Sequence, residues 1–404
     1  MRSRFADLLW GPPKKFSNQT GERKISWLEL FYDLVYVIAI SKITLYLAEH
    51  PNFSGLLDYV YFFIMVYWGW LNGSLYHDIH GGPGLRTRFM TLWQMLVVAA
   101  LIVTLNVQPE SMRFNASIAI MVMQLYITYL WWSVGIYDKA HRKLNRRYTI
   151  CYLASLALMF VTLYLDQPWL RITFYATLVL NFLPPFLLRG RLKKGGFQLD
   201  LTSSMTERLG LFTIIIFGET ILGIINGIVA LGKLNAHIWI NFSLGILIIF
   251  ALWWIFFALI ADRQSRKGFI TGYFVELSYI PTLMALGMIG ASFSRLFTVF
   301  ENRDDPNSVW IKNLFAVSFC VFLIGITIIS QFLEYQQLYN DRKRKVQLIV
   351  LSIAIAILLL SISGLITDLL IYLLIILVLL VTVIVIITRI WLGIEMGNRK
   401  EEEA

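Results

Sequence analysis

The chain has 404 residues, of which 58% are hydrophobic and only 15% charged, and its mean hydropathy is +0.67. A soluble domain carries about 25% charged residues, so this composition excludes an ordinary water-soluble globule and indicates a polytopic membrane protein. The net charge of +10 does not point to nucleic acid. The basic residues sit in short loops between apolar runs, where they set topology and meet anionic lipid headgroups.

In chain order, residues 1–26 are polar and basic, with Pro12-Pro13 and Lys14-Lys15. They lack the apolar core of a secretory signal, so the first apolar run reads as a retained span. About twelve apolar spans follow, at 27–47, 55–76, 89–107, 114–136, 148–165, 169–188, 209–231, 238–261, 269–297, 310–333, 347–367 and 369–391. The expected architecture is all-α. It has a basic cytoplasmic segment (1–26), a first transmembrane half (27–194), a second half (195–391) and a cytoplasmic tail (392–404). The last two spans, up to Ile387, are nearly pure Leu, Ile and Val and read as lipid-facing scaffold.

Charge fixes the expected orientation. Arg2, Arg4, Lys14, Lys15, Arg23 and Lys24 crowd the start, and Lys139, Arg142, Lys143, Arg146 and Arg147 follow the fourth span. Arg189, Arg191, Lys193 and Lys194 follow the sixth, Arg263, Arg266 and Lys267 the eighth, and Arg342, Lys343, Arg344 and Lys345 the tenth. The opposite loops are poorer in basic residues, with Arg113, Lys233, Arg295, Arg303 and Lys312. By the positive-inside rule both termini are cytoplasmic. Cys151 and Cys320 lie inside apolar runs and form no Cys/His cluster, so neither a disulfide framework nor a metal site is expected.

Two stretches stand out. WLELFYDLVYVIAISKITLYL (27–47) carries Glu29, Asp33 and Lys42, and ERLGLFTIIIFGETILGIING (207–227) carries Glu207 and Glu219. Ionisable groups at membrane depth are costly and face a protein interior or a wet cavity. In register, Glu29 falls on Glu207 and Ser41-Lys42 on Glu219-Thr220. An even number of intervening spans makes two parallel six-helix repeats a possible origin.

Glu29 and Asp33 are i,i+4 and share a face with Tyr36 and Ile40. Two carboxylates so close favour a shared proton or a bound cation. The competing reading is an interfacial pair taking hydrogen bonds from a neighbouring helix or loop arginine, helped by the helix dipole. Glu219 lies roughly 18 Å along its helix from Glu207 and shares a face with Gly223, Asn226 and Gly227. That GxxxG spacing lets another helix approach closely. A Lys42–Glu219 ion pair is one reading, and snorkelling of Lys42 is the other. In the ninth span, Glu276 precedes Pro281, which frees a carbonyl one turn earlier. A broken, ion-coordinating helix and a simple proline kink both fit. Asn72, Gln94, Gln124, Asn181 and Asn241 read as hydrogen-bonding glue between helices. His77-Asp78-Ile79-His80 reads as a solvated loop rather than a metal site. No nucleotide-binding or hydrolase motif is present, and neither an enzyme activity nor a cofactor is expected.

WLELFYDLVYVIAI (27–40), ERLGLFTIIIFGETIL (207–222) and ALWWIFF (251–257) make the chain resemble the bacterial low temperature requirement A family, in order and spacing. Two positions depart from that pattern. Ala258 stands where the family usually has an acid, and YHDIHGGPGLRTRF follows the second span where the family has an Arg-Phe-Asp-rich segment. The resemblance implies a bacterial inner-membrane protein linked by name to growth in the cold. The resulting expectation is a transporter or channel that moves a proton, cation or small solute. Its path is lined by the first, seventh and ninth spans, with Glu29, Asp33, Lys42, Glu219 and Glu276 along it. Gly223, Asn226, Gly227 and Pro281 shape helix packing. The alternative is a non-transporting scaffold or lipid-handling factor. Expected partners are membrane lipids, a small ion or solute and a second copy of the chain, not nucleic acid.

Overall fold

The computed structural model describes residues 11, 13–14, 24–82, 84–105, 109–138, 142–187, 201–261, 263–302, 305–335 and 337–402. Arg2, Arg4, Lys15, Arg23, Lys139, Arg189, Arg191, Lys193, Lys194 and Arg303 of the charge pattern lie outside the described residues. The described residues form helices and no strand, apart from one isolated bridge between Ser265 and Leu333. In order these are α1 (Trp27–Glu49), α2 (Phe53–His80), α3 (Leu85–Thr104), α4 (Pro109–Tyr137), α5 (Arg142–Thr162), α6 (Trp169–Phe182), α7 (Ser203–Val229), α8 (Ala236–Ile260), α9 (Phe269–Glu301), α10 (Ser308–Phe332), α11 (Gln337–Ile362) and α12 (Leu369–Glu402).

Among the described residues, 9 helices are long and apolar enough to cross a membrane. The three that fall short are α2, α5 and α6. Polar content explains the first two: α2 carries Asp58, Asn72, His77, Asp78 and His80, and α5 opens on a cluster of Arg and Lys. Length explains the third, since α6 has only 14 residues. The helix α9 runs unbroken through Pro281 for 33 residues, which speaks against the broken-helix reading. At 1.5 Å per residue it is about 50 Å long, well beyond a bilayer core of about 30 Å.

The burial pattern is that of a protein in oil. On α1 the face Glu29, Asp33, Tyr36, Ile40 is buried, while Phe31, Leu34, Ile38 and Leu45 are exposed. The polar stripe thus faces protein and the apolar stripe faces outward, the reverse of a soluble amphipathic helix. On α12 the outward residues are Ile371, Leu374, Val378, Val381 and Val385, but Tyr372, Leu373, Ile376, Leu380 and Val383 are buried. This helix is therefore a packed element as well as a lipid-facing one.

The chain divides into two compact units, Met1–Tyr46 with Leu57–Phe212, and Leu47–Leu56 with Thr213–Ala404. The division falls inside α7, whose first turns belong with the first unit. In that unit α3 packs on α4, α4 on α5 and α5 on α6. In the second, α9 packs on α10, α10 on α11, α11 on α12, and α8 on both α10 and α12.

Candidate functional site

The first unit contains a buried charged centre, built at the starts of α1 and α7. Ser26 and Glu29 begin α1 as a capping box. Glu29 N donates to Ser26 Oγ (3.4 Å), and Ser26 N and Oγ donate to Glu29 Oε2 (2.9 and 2.8 Å). One turn later Asp33 points the same way. The start of α7 is fixed by Thr202, whose Oγ accepts from Met205 N (3.1 Å) and donates to Asp78 Oδ2 (2.7 Å). Ser204 Oγ donates to the other oxygen of Asp78. These bonds set the rotation of the first turns, and Arg208 then faces α1.

Arg208 and Asp33 form a two-pronged pair. Nη2 lies 2.5 Å from Asp33 Oδ1 and Nε lies 3.3 Å from Oδ2. Such forked guanidinium–carboxylate contacts are the strong ones among charged hydrogen bonds. Trp70 Nε1 donates to Asp33 Oδ1 as well (2.7 Å). The third guanidinium nitrogen, Nη1, sits 3.8 Å from Glu29 Oε1 and makes no hydrogen bond among the described residues. The guanidinium carbon is 5.7 Å from the Tyr32 ring and 5.9 Å from the Trp70 ring, both within cation–π range. Trp70 is itself stacked on Phe212 at 4.2 Å. Exposure is 5% for Glu29, 0% for Asp33 and 1% for Arg208.

A layer of neutral polar groups surrounds this centre. Gln94 Nε2 donates to Tyr36 Oη (2.8 Å) and to the Gly69 carbonyl (3.0 Å). Asn72 Oδ1 accepts from Trp131 Nε1 (3.1 Å) and Tyr152 Oη (2.8 Å). Gln124 and Asn181 exchange amide hydrogen bonds at 2.9 and 3.0 Å. All four amides tie helices together. For Asn241, in the second unit, Oδ1 is buried without a hydrogen bond among the described residues. The His77-Asp78-Ile79-His80 segment is the buried last turn of α2 rather than a solvated loop. His77 Nε2 bonds Thr91 Oγ (2.9 Å) and His80 Nδ1 bonds the Lys14 carbonyl (2.8 Å). No group of three or more metal-ligating side chains occurs among the described residues.

Glu29 and Asp33 thus share a site, and the guanidinium they share is Arg208. Lys42 is half-buried and belongs to the first unit. In the second unit, Glu219 is half-buried, Glu276 is 5% exposed, and Pro281 lies inside α9. There α7 and α9 meet at small residues. A methyl group built on Gly223 would sit 2.3 Å from the Gly290 carbonyl oxygen, and one on Gly227 2.4 Å from the Phe293 oxygen. Thr220 Oγ reaches across to the Leu286 carbonyl at 3.2 Å. Asn226 is exposed, because a step of three from Gly223 carries it to the rim of that face. Arg208, Trp70 and Asp78 escape a reading by motif. Arg208 is nevertheless the one cation in the apolar start of α7, and a buried cation demands carboxylates.

The sequence profile of the bacterial low temperature requirement A proteins matches residues 24–386. An uncharacterized protein of Rhizobium meliloti (strain 1021) is 24% identical over 256 residues, which cover 62% of this chain. The chain spans 61% of that relative's length. No solved structure matches.

Proposed function

The chain belongs to the bacterial low temperature requirement A family, and on that premise we propose that it is a transport protein of the bacterial inner membrane, with both termini cytoplasmic. It moves a proton, a cation or a small solute, and its working centre is the Glu29–Arg208–Asp33 cluster. One observation carries this reading. Arg208 is 1% exposed, commits Nε and Nη2 to Asp33, and holds Nη1 in an ion pair 3.8 Å from Glu29 with no hydrogen bond on it among the described residues. A buried donor left without a hydrogen bond costs about 1–3 kcal/mol or more when charged.

Asp33 holds the guanidinium in place. Glu29, held by Ser26 through Oε2, lies beside that nitrogen. A proton or a cation taken up on its carboxylate is a charge step in a low-dielectric site, where it bears strongly on neighbouring helices. Anionic lipid headgroups are proposed partners of the basic loops.

The second reading is a membrane scaffold or lipid-handling factor in which the cluster only locks packing. The full pairing of Asp33 with Arg208 and Trp70 favours it. Purified protein in liposomes separates the two. The transport reading expects flux of protons or monovalent cations under an imposed gradient, cut at least about tenfold by Glu29→Gln. Asp33 and Arg208 stay paired in that variant. If the unaltered protein moves no proton, cation or small solute, the transport reading falls and the scaffold stands.

A further inference from the structure

At one end of the second unit, α7 and α9 finish and α8 and α12 begin. Between them lies an open cleft of about 210 Å³. Its lining is mixed: Ile238, Phe297, Phe300 and Leu369 are apolar, and Asn235, His237, Asn241, Glu301, Thr367 and Asp368 are polar. Glu301 and Asp368 stand at the cleft, both exposed. Each has one oxygen committed. Glu301 Oε1 is paired with Lys233, and Asp368 Oδ1 caps α12 by accepting from Ile371 N (3.1 Å). Asn235 likewise caps α8 through Ile238 N (2.9 Å).

Asn241 lines the same cleft two turns into α8, 4% exposed, and its Oδ1 has no hydrogen-bond partner among the described residues. A buried amide oxygen in that state is destabilising by about 1–3 kcal/mol. The oxygen therefore marks a place where a donor or a cation is expected.

We propose that this cleft binds a small organic cation, of the size and character of a methylated ammonium. Three features select that class. The acceptors, one amide oxygen with two carboxylates, attract positive charge. Phe297, Phe300, Ile238 and Leu369 offer aromatic and aliphatic contact for alkyl substituents. No metal-ligating group of three or more His, Cys, Asp or Glu side chains exists among the described residues, so a tightly coordinated divalent ion is not what the cleft is built for. Phe300 already receives an ammonium on its ring, from Lys312 at 4.3 Å. This inference does not rest on the transport reading. A binding site here suits a carrier, a sensor or a scaffold equally.

The test uses the full chain, purified and reconstituted in nanodiscs, with trimethylammonium, which keeps one N–H donor, as the probe and sodium at matched ionic strength as the control. Calorimetric titration and the shift in unfolding temperature are both read. The expected result is saturable binding of trimethylammonium that exceeds any effect of sodium. Asn241→Leu weakens it by about tenfold or more while leaving the unliganded protein as stable as before, or more so. Glu301→Gln and Asp368→Asn, at exposed positions, weaken it too, and they carry the test if the Leu variant does not fold. No saturable binding to the unaltered protein, an equal response to sodium, or equal affinity in all variants would each overturn the proposal.

Discussion

The two units solve the same problem, holding helices together in oil, by different chemistry. The first does it with polar side chains that reach between helices. Arg208–Asp33, Gln124–Asn181, Asn72 with Trp131 and Tyr152, and Gln94 with Tyr36 all bridge elements. In the second the hydroxyls mostly turn inward: Ser292 bonds the Met288 carbonyl, Thr327 that of Leu323 and Thr282 that of Ser278, each within its own helix. Helix contact there leans more on small residues and stacked rings, beside polar bridges such as Thr220 to the Leu286 carbonyl and Gln347 to Ser330. Gly223 sits against Gly290, Gly325 against Thr282, and Phe293, Phe315 and Phe319 form a chain of rings 4.7–4.8 Å apart. Close packing alone gives a rigid body, whereas charged and amide networks can rearrange when a proton or ion arrives. That contrast is why the working centre is placed in the first unit.

Several changes break or sharpen the contrast. The largest effect is expected for Arg208→Gln, which leaves Asp33 buried without its counter-charge. Loss of one partner of a buried pair costs about 3–5 kcal/mol, to be read as a drop in unfolding free energy of the reconstituted protein. Next is Gly223→Ala. Its new methyl group meets the backbone of α9, which cannot rotate away, so a loss of about 1–3 kcal/mol is expected. The matched control is Gly218→Ala on the same helix, where a methyl group meets nothing within 4 Å. There helix propensity alone acts and stability rises by up to about 1 kcal/mol. Equal effects at positions 218 and 223 would remove the close-packing account of the second unit. Smaller still is Asp78→Ala, which frees the Thr202 and Ser204 hydroxyls at the start of α7 and costs about 1 kcal/mol. Hydrogen exchange at residues 203–208 should rise with it, and exchange in α9 should not.

Much of this fold was legible in the sequence because membrane burial leaves long apolar runs and charged punctuation. All twelve expected spans coincide with helices. The spanning criterion fails only for α2, α5 and α6, where polar residues or shortness intervene. The face Glu29–Asp33–Tyr36–Ile40 was also readable from helical period alone, as were both of its alternatives. Its partner was not. Aligning Glu29 with Glu207 drew attention to an exposed acid, while the buried residue is its neighbour Arg208. Periodicity assigns a residue to a face, but only the rotation set by Thr202, Ser204 and Asp78 decides what that face meets. Asn226 teaches the same point from the other side, since it is close to the glycine stripe in sequence and yet outside the packed surface. The last turn of α2 runs four residues past the apolar span that ends at Tyr76, and burial of His77 and His80 depends on partners more than ten residues away.

The central claim is that Arg208 and Asp33 act as a single buried unit. A double-mutant cycle on Asp33→Asn and Arg208→Gln, read as unfolding free energy in one lipid environment, tests it most directly. The account predicts a double variant less damaged than the two single losses summed, with a coupling of about 2 kcal/mol or more. Losses that add to within about 0.5 kcal/mol would mean that the two side chains do not meet, and would contradict it.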